Sequence, residues 1–196
     1  MPYAPEHKQH TRRRIVRSAR RLFNQRGFNE VSIDEIMANA QLTRGGFYAH
    51  FRNKEELYVE AITLILEENP ATEYEGMEFD FESEDIARVI VNAYLSRQHY
   101  DDIEGSCPLI ALPNDVARGS QTLQRAYRQV LGSMVDIFKQ KLNAHSDAES
   151  QALAMAALCV GGMVLARAVG DEQMADEIRE ASRQHALQIL GPVSTN

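Results

Sequence analysis

With 196 residues, 44% of them hydrophobic and 25% charged, the chain has room for one domain or two small ones, an adequate core and the ordinary balance of a soluble globular protein. Two cysteines, Cys107 and Cys159, make no disulfide framework and fit a reducing compartment. The opening MPYAPEHKQH holds no apolar stretch suited to a signal peptide, and the nearly apolar run Ala152 to Ala166 reads as too short for a membrane span, so the cytoplasm is the expected location. The net charge of −7 argues against nucleic acid until its distribution is considered. Residues 1–58 hold 11 Lys or Arg against 6 Asp or Glu, +5, and the remainder holds 10 against 22, −12. A basic module that meets phosphate, joined to an acidic body that does not, accounts for such asymmetry.

The first helix is expected from Lys8 to Arg26, with Ile15, Ala19, Leu22 and Phe23 inward and Arg12, Arg13, Arg17, Arg20 and Arg21 mostly outward, and Gly27 ends it. The stretch VSIDEIMANAQLTRGGFYAHF then reads as two short helices joined by a tight turn. Ser32 caps the first, with Glu35 returning the bond as a capping box, and Ile33, Ile36, Met37 and Ala40 share one face. Gln41 and Leu42 make the turn, and Thr43 opens a second helix about two turns long, with Leu42, Phe47 and Phe51 inward. Thr43, Arg44, Gly45, Tyr48 and His50 are left outward, a face of donors with one glycine where a backbone can come close. A helix so braced by its predecessor is what a helix-turn-helix protein lays in the major groove.

From Thr11 to Leu57 the sequence resembles the N-terminal domain of the tetracycline-repressor (TetR) family of transcription regulators. The matching positions run from Thr11, Ile15 and Ala19 through Gly27, Ser32, Ile36 and Ala40 to Thr43, Gly45, Phe47, Tyr48, Lys54 and Leu57. Met37 stands where the family usually has Ala, and Gln41 where it usually has Gly in the turn. The resemblance implies phosphate contacts from Ser32, Thr43, Tyr48, His50 and Lys54, and base reading by Thr43, Arg44 and Gly45. Of these, Arg44 alone can contact guanine through two hydrogen bonds.

Asn53 caps a fourth helix with Glu56 as its box partner, running to about Glu68 and joining the reader to the body. Residues Asn69 to Glu82 carry Pro, Gly and no clear period and read as a loop or irregular linker, whose Tyr74, Phe79 and Phe81 anchor it on the body or, as the less favoured reading, help cover a pocket; no basic residue lies between Lys54 and Arg88. One helix is expected from Ser83 to Tyr100, a shorter one at Ser106-Cys107-Pro108 that Pro113 bends, and a long one from Ser120 to about Ala144 striped by Leu123, Tyr127, Val130, Met134, Phe138 and Leu142. Ser146 and Glu149 form another box before a helix apolar nearly all round, in which Gly161 and Gly162 let a backbone approach. The last helix, Asp171 to Leu190, keeps Met174, Ile178, Ala181, His185, Leu187 and Ile189 and stops at Gly191-Pro192.

The expected class is all-α: a three-helix helix-turn-helix DNA-binding domain over residues 1–58, and a helical ligand-binding and dimerisation domain over 59–196. By the resemblance, the last two long helices pair with their mates in a homodimer, and a small-molecule effector releases DNA from a pocket among the central helices. Tyr94, His99, Leu109, Tyr127, Met134, Phe138, Met155 and Met163 are candidates for its lining, equally explained as plain core. Cys107, at a helix start, could instead sense oxidants or electrophiles as a thiolate, although packing explains it as well. An enzyme is not expected: His99 and Cys107 have no catalytic spacing, His7 and His10 lack further metal ligands, and no phosphate-cradling glycine loop exists, so no cofactor or metal is implied. The expected role is a repressor on a near-palindromic double-stranded operator, with an effector-free architectural DNA binder as the alternative.

Overall fold

The computed structural model describes residues 5–67, 85–142 and 146–192, and every element among them is helical. The expected loop at Asn69 to Glu82, with Tyr74, Phe79 and Phe81, lies outside the described residues. Two compact units form, each from two stretches: the residues up to Glu67 with Ile103–Arg128, and those of Glu68–Asp102 with Gln129–Asn196. The basic module of residues 1–58 falls wholly within the first.

In the first unit α1 (Pro5–Glu30) packs on α2 (Ile33–Asn39) and α4 (Lys54–Thr63), with the short α3 (Arg44–Ala49) between them in sequence. Ile15, Ala19, Phe23, Ile36, Met37, Phe47, Phe51, Leu57, Tyr58 and Ile62 fill its core. Gly27 breaks α1 as expected, at φ 78 and ψ 173. Two of the arginines expected on the outer face of α1 turn inward. Arg20 is buried and donates to the Gly105 carbonyl at 3.2 Å, while Arg12 reaches Glu60 and Glu56. Beyond them α7 (Pro108–Ala111), α8 (Pro113–Ala117) and the first part of α9 (Gln121–Lys141) complete the unit, each of the first two opened by the proline that the residue type favours there.

The turn after α2 is a Schellman motif. The Gln41 N–H donates to Ala38 O at 2.9 Å and the Leu42 N–H to Met37 O at 2.8 Å, with Gln41 at φ 56 in the left-handed region. At the start of α4, Asn53 accepts from the Glu56 N–H at 2.8 Å, but Glu56 returns its carboxylate to the Arg52 N–H rather than to Asn53. The helix passes into a tighter turn at Leu64–Leu66.

In the second unit the single helix expected from Ser83 to Tyr100 is two, α5 (Ile86–Tyr94) and α6 (Arg97–Asp101). Ser96 caps α6 by accepting from the His99 N–H at 3.1 Å, and the backbone breaks there without Pro or Gly. The box expected at Ser146 is not formed: Asp147 occupies the cap position of α10 (Ala148–Ala168), and Glu149 pairs with Lys139 instead. At 21 residues, with an 18-residue stretch of mean hydropathy 1.6, α10 is long and apolar enough to cross a membrane, so the shorter run counted in the sequence does not exclude it. Its placement is that of a core helix, packed on α11 (Glu172–Leu190) where a side chain at Gly162 would stand 2.7 Å from Ser182 Cβ. Asp171 caps α11 by accepting from the Met174 N–H at 2.7 Å, and Gly191 ends it at φ 73. The buried face of α11 is Ala175, Arg179 and Ala186; Met174, Ala181 and His185 of the expected stripe are exposed.

A left-handed glutamine costs about 1 kcal/mol relative to glycine. Gln41→Gly should therefore raise the unfolding free energy by no more than about 0.6 kcal/mol once the roughly 0.4–1 kcal/mol of extra entropy of the unfolded glycine is deducted, read as a small rise in the urea midpoint with unchanged helical content.

Candidate nucleic-acid interface

The site is built from the capped start of α2, the turn and α3. Ser32 adopts extended angles, φ −88 and ψ 157, and its Oγ accepts from the Glu35 N–H at 3.2 Å. Glu35 returns Oε2 to the Ser32 N–H and hydroxyl, both at 2.8 Å, and its other oxygen takes Arg26 at 2.8 Å. These donors hold the Glu35 carboxyl at about 2, chiefly through the Ser32 backbone N–H. The capping box read from the sequence is thus present in full.

Phe47 and Phe51 anchor α3 from beneath with ring centroids 5.6 Å apart, and Met37 reaches toward Gly46. The helix is wound with the tighter three-residue repeat, a geometry that rarely persists alone and here rests on these rings. Thr43 has the backbone angles of a cap, but its hydroxyl makes no capping bond. Thr43, Arg44, Gly45 and Tyr48 form an exposed row, Tyr48 at 63%. Among the described residues, beyond its own chain neighbours and helix backbone, nothing comes within 4 Å of where a Gly45 side chain would begin, and no contact there calls for glycine. Arg44 Nη1 donates to Asp34 Oδ2 at 2.8 Å, a pairing that spacing along one helix could not reveal.

His50 is half-buried, with its carbonyl taken by Arg12 and its Nδ1 buried among the described residues without a hydrogen bond. Burial, then the charges of Lys8 and Arg12, push its pKa down, so the ring is held toward its neutral form. Lys54 lies apart from the exposed row: its ammonium donates to the Phe28 carbonyl and sits 4.3 Å from the centre of the Phe28 ring. Desolvation lowers its pKa against the opposing pull of Asp115 and Glu35. Neither arrangement carries a local sequence signal, because each partner is 26 or more residues away.

The residues named for an effector fall into both units. In the first, Cys107 occupies the cap position of α7 without a capping bond and is buried, Leu109 is buried, and Tyr127 donates its hydroxyl to Leu109 O at 2.9 Å; burial, with Cys107 nearby, pushes Tyr127 up to about 12. In the second, Met134, Phe138, Met155 and Met163 are core. Tyr94 and His99 meet edge to face at 4.9 Å, and His99 Nδ1 lies 2.8 Å from Tyr94 O. The Cys159 thiol is pushed up to about 12 by burial alone.

Two short helices at a Schellman turn, the second presenting polar groups outward, define an all-α helix-turn-helix protein. A family model described as bacterial regulatory proteins, tetR family, matches residues 15–61. The transposon Tn10 TetC protein of Escherichia coli is 54% identical over 43 residues, 22% of each chain, and AcrR of Shigella flexneri is 44% identical over 52 residues, 26% of this chain and 24% of that one. These alignments span less than a quarter of the relatives' own length. Across the whole fold, the solved structure of reduced NemR from E. coli is similar, with a TM-score of 0.75 at 20% identity over 95% of this chain and 100% of that one. Residues 15–61 thus carry the sequence pattern of the tetR family of bacterial regulatory proteins, and the whole chain shares the fold of the solved structure.

Because Glu35 titrates far below its ordinary 4.5 when folded, its bonds add stability that is complete above that value and is lost as the pH falls toward about 2. Glu35→Gln should flatten the acid limb of the stability curve in that window, read as thermal midpoint against pH, while leaving the neutral-pH slope as in the wild type.

Proposed function

We propose that this protein is a DNA-binding transcriptional repressor, acting as a cytoplasmic homodimer on a near-palindromic operator and released by a small molecule. The observation that carries the reading is the exposed row Thr43, Arg44, Gly45 and Tyr48 on a helix braced by α2. Arg44 supplies bidentate contact to guanine, worth about 1–3 kcal/mol of discrimination, and the open backbone at Gly45 admits a base edge. Ser32, Thr43, Tyr48 and His50 contact phosphates, and Lys54 keeps two of its three ammonium protons for the same task after serving Phe28. Residues 1–58 are the reader and residues 59–196 the effector-binding and dimerisation domain.

The dimer is supported by an apolar face left exposed among the described residues. On α10, Leu153 and Leu165 are 49% and 60% exposed, and Ala157, between them at helical spacing, is exposed as well. Met174 and Ala181 are exposed apolar residues on α11 as well. Adaptable methionines in the second unit, Met134, Met155 and Met163, suit an effector site beside Phe138. An effector that binds better to the form with misplaced readers then empties the operator by shifting the population.

Selection of bound fragments from random duplexes tests the whole reading. A recovered site with two inverted halves is expected; failure to retain any duplex at low salt overturns it. On the recovered site, Arg44→Ala should lose discrimination at one base pair per half-site, whereas Lys54→Ala should weaken all sequences alike and lower the salt slope by about 1. Equal losses on every sequence for Arg44→Ala would remove the base-reading role. Leu165→Asp should convert the dimer to monomer in light scattering, with the helical content of each chain retained.

A further inference from the structure

We propose that Asp34 sets the selectivity of the recognition helix by holding Arg44; the inference rests on the base-reading role proposed above. Arg44 carries the positive charge of α3, whose sequence is RGGFYA, and its Nη1 is bound to Asp34 Oδ2 at 2.8 Å from the first turn of α2. The side chains are 69% and 54% exposed. An ion pair so exposed adds little to folding, and its consequence lies in what approaches that surface.

The guanidinium has five N–H groups in a planar fork. One serves Asp34, and four remain, including both on Nη2, so Arg44 can donate to guanine O6 and N7 without leaving its partner. Unheld, an exposed arginine samples many rotamers and settles on whichever phosphate is nearest, whatever the sequence. Held, it presents its fork in few positions.

Charge acts in the same direction. Asp34 stands two residues from Ser32, and Glu35 beside it is already occupied by Ser32 and Arg26, so Asp34 is the neighbouring carboxylate that Arg44 neutralises. On a duplex lacking the right guanine, a phosphate that draws Arg44 away leaves that carboxylate exposed to a polyanion. On a duplex offering guanine the pair stays closed. Asp34 therefore weakens binding to arbitrary sequence more than binding to the operator.

The test uses the full-length protein, the selected operator, a set of operators with one guanine replaced at a time, and a random duplex, all at one salt concentration. Asp34→Ala should bind the random duplex several-fold more tightly and lose about tenfold of its discrimination at the Arg44 base pair. Asp34→Asn, which keeps an acceptor without the charge, should fall between Asp34→Ala and the wild type. In an Arg44→Ala background, Asp34→Ala should leave base discrimination unchanged, the sign of a coupled pair. Undiminished discrimination by Asp34→Ala beside a selective wild type overturns the proposal alone. An equal loss in both backgrounds also overturns it, since Asp34 would then be reading a base amino group directly. A wild type that prefers no sequence overturns both this inference and the base-reading role.

Discussion

The peptide unit of Phe28 is the joint on which the first unit depends. At Gly27 the backbone leaves α1 through φ 78, and the next N–H, which no helix can now satisfy, donates to Asp115 Oδ2 at 2.7 Å. The carbonyl of the same residue accepts from Lys54, and its ring stacks on Tyr58 at 4.7 Å and tilts against Phe23 at 5.8 Å. The angle requires glycine here, and a side chain at position 27 would begin 2.9 Å from Asp115 Oδ2, so the carboxylate that holds the Phe28 N–H would also have to shift. Both ends of the helix-turn-helix are thereby tied to one residue: the chain departs from Phe28 toward α2 and returns to it at Lys54. Closing that loop removes most of the freedom with which the reader could swing on its support.

A second clamp holds the reader from its far end. Arg12 donates to Glu60 at 3.0 Å and to the His50 carbonyl, and its guanidinium lies 4.0 Å from the centre of the Phe51 ring. One planar cation thus joins α1, α4 and the last turn of α3. The arrangement matters because α3 is only six residues long and tightly wound, too short to hold its own shape. Its rigidity is borrowed from Phe47, Phe51 and Arg12, and a rigid short helix is what fixed contacts to base edges require.

What could be read from the sequence follows the range of the forces involved. The Ser32–Glu35 box, the break at Gly27, the turn at Gln41 and the exposure of Thr43, Arg44, Gly45 and Tyr48 all arise from residues within a few positions of one another and are legible; His50, expected in the same row, is half-buried where Arg12, 38 residues away, takes its carbonyl. The inward turn of Arg12 and Arg20 is not legible, since their partners lie 48 and 85 residues away and periodicity alone assigns a charged residue to solvent. The break between α5 and α6 had a local signal in Ser96, but an uninterrupted apolar period on its N-terminal side outweighed it. At Ser146 the reverse occurred: a sound local box lost to Lys139, which claims Glu149 across ten residues. Of the candidate site, the polar row was legible from one helix period, while the partners that orient Arg44, His50 and Lys54 were not.

The apolar stripe of α11 shows why period alone leaves an interface undecided. Periodicity reveals that a face is apolar without saying which surface covers it. Small residues decide the matter here: Gly162 on α10 lets Ser182 come close, so α11 turns Ala175 and Ala186 toward its own unit and leaves the larger Met174 outside. Arg179 is buried on that inner face because the Leu95 carbonyl, freed where α5 ends, accepts its proton at 2.9 Å. The same geometry explains the composition of α10. A helix apolar on all sides has more than one surface to bury, and among the described residues 39% of its most apolar stretch is covered. Left open, Leu153 and Leu165 would form a continuous sticky patch. In the homodimer proposed above, a second copy presenting the same face by symmetry would remove that patch with residues the chain already has.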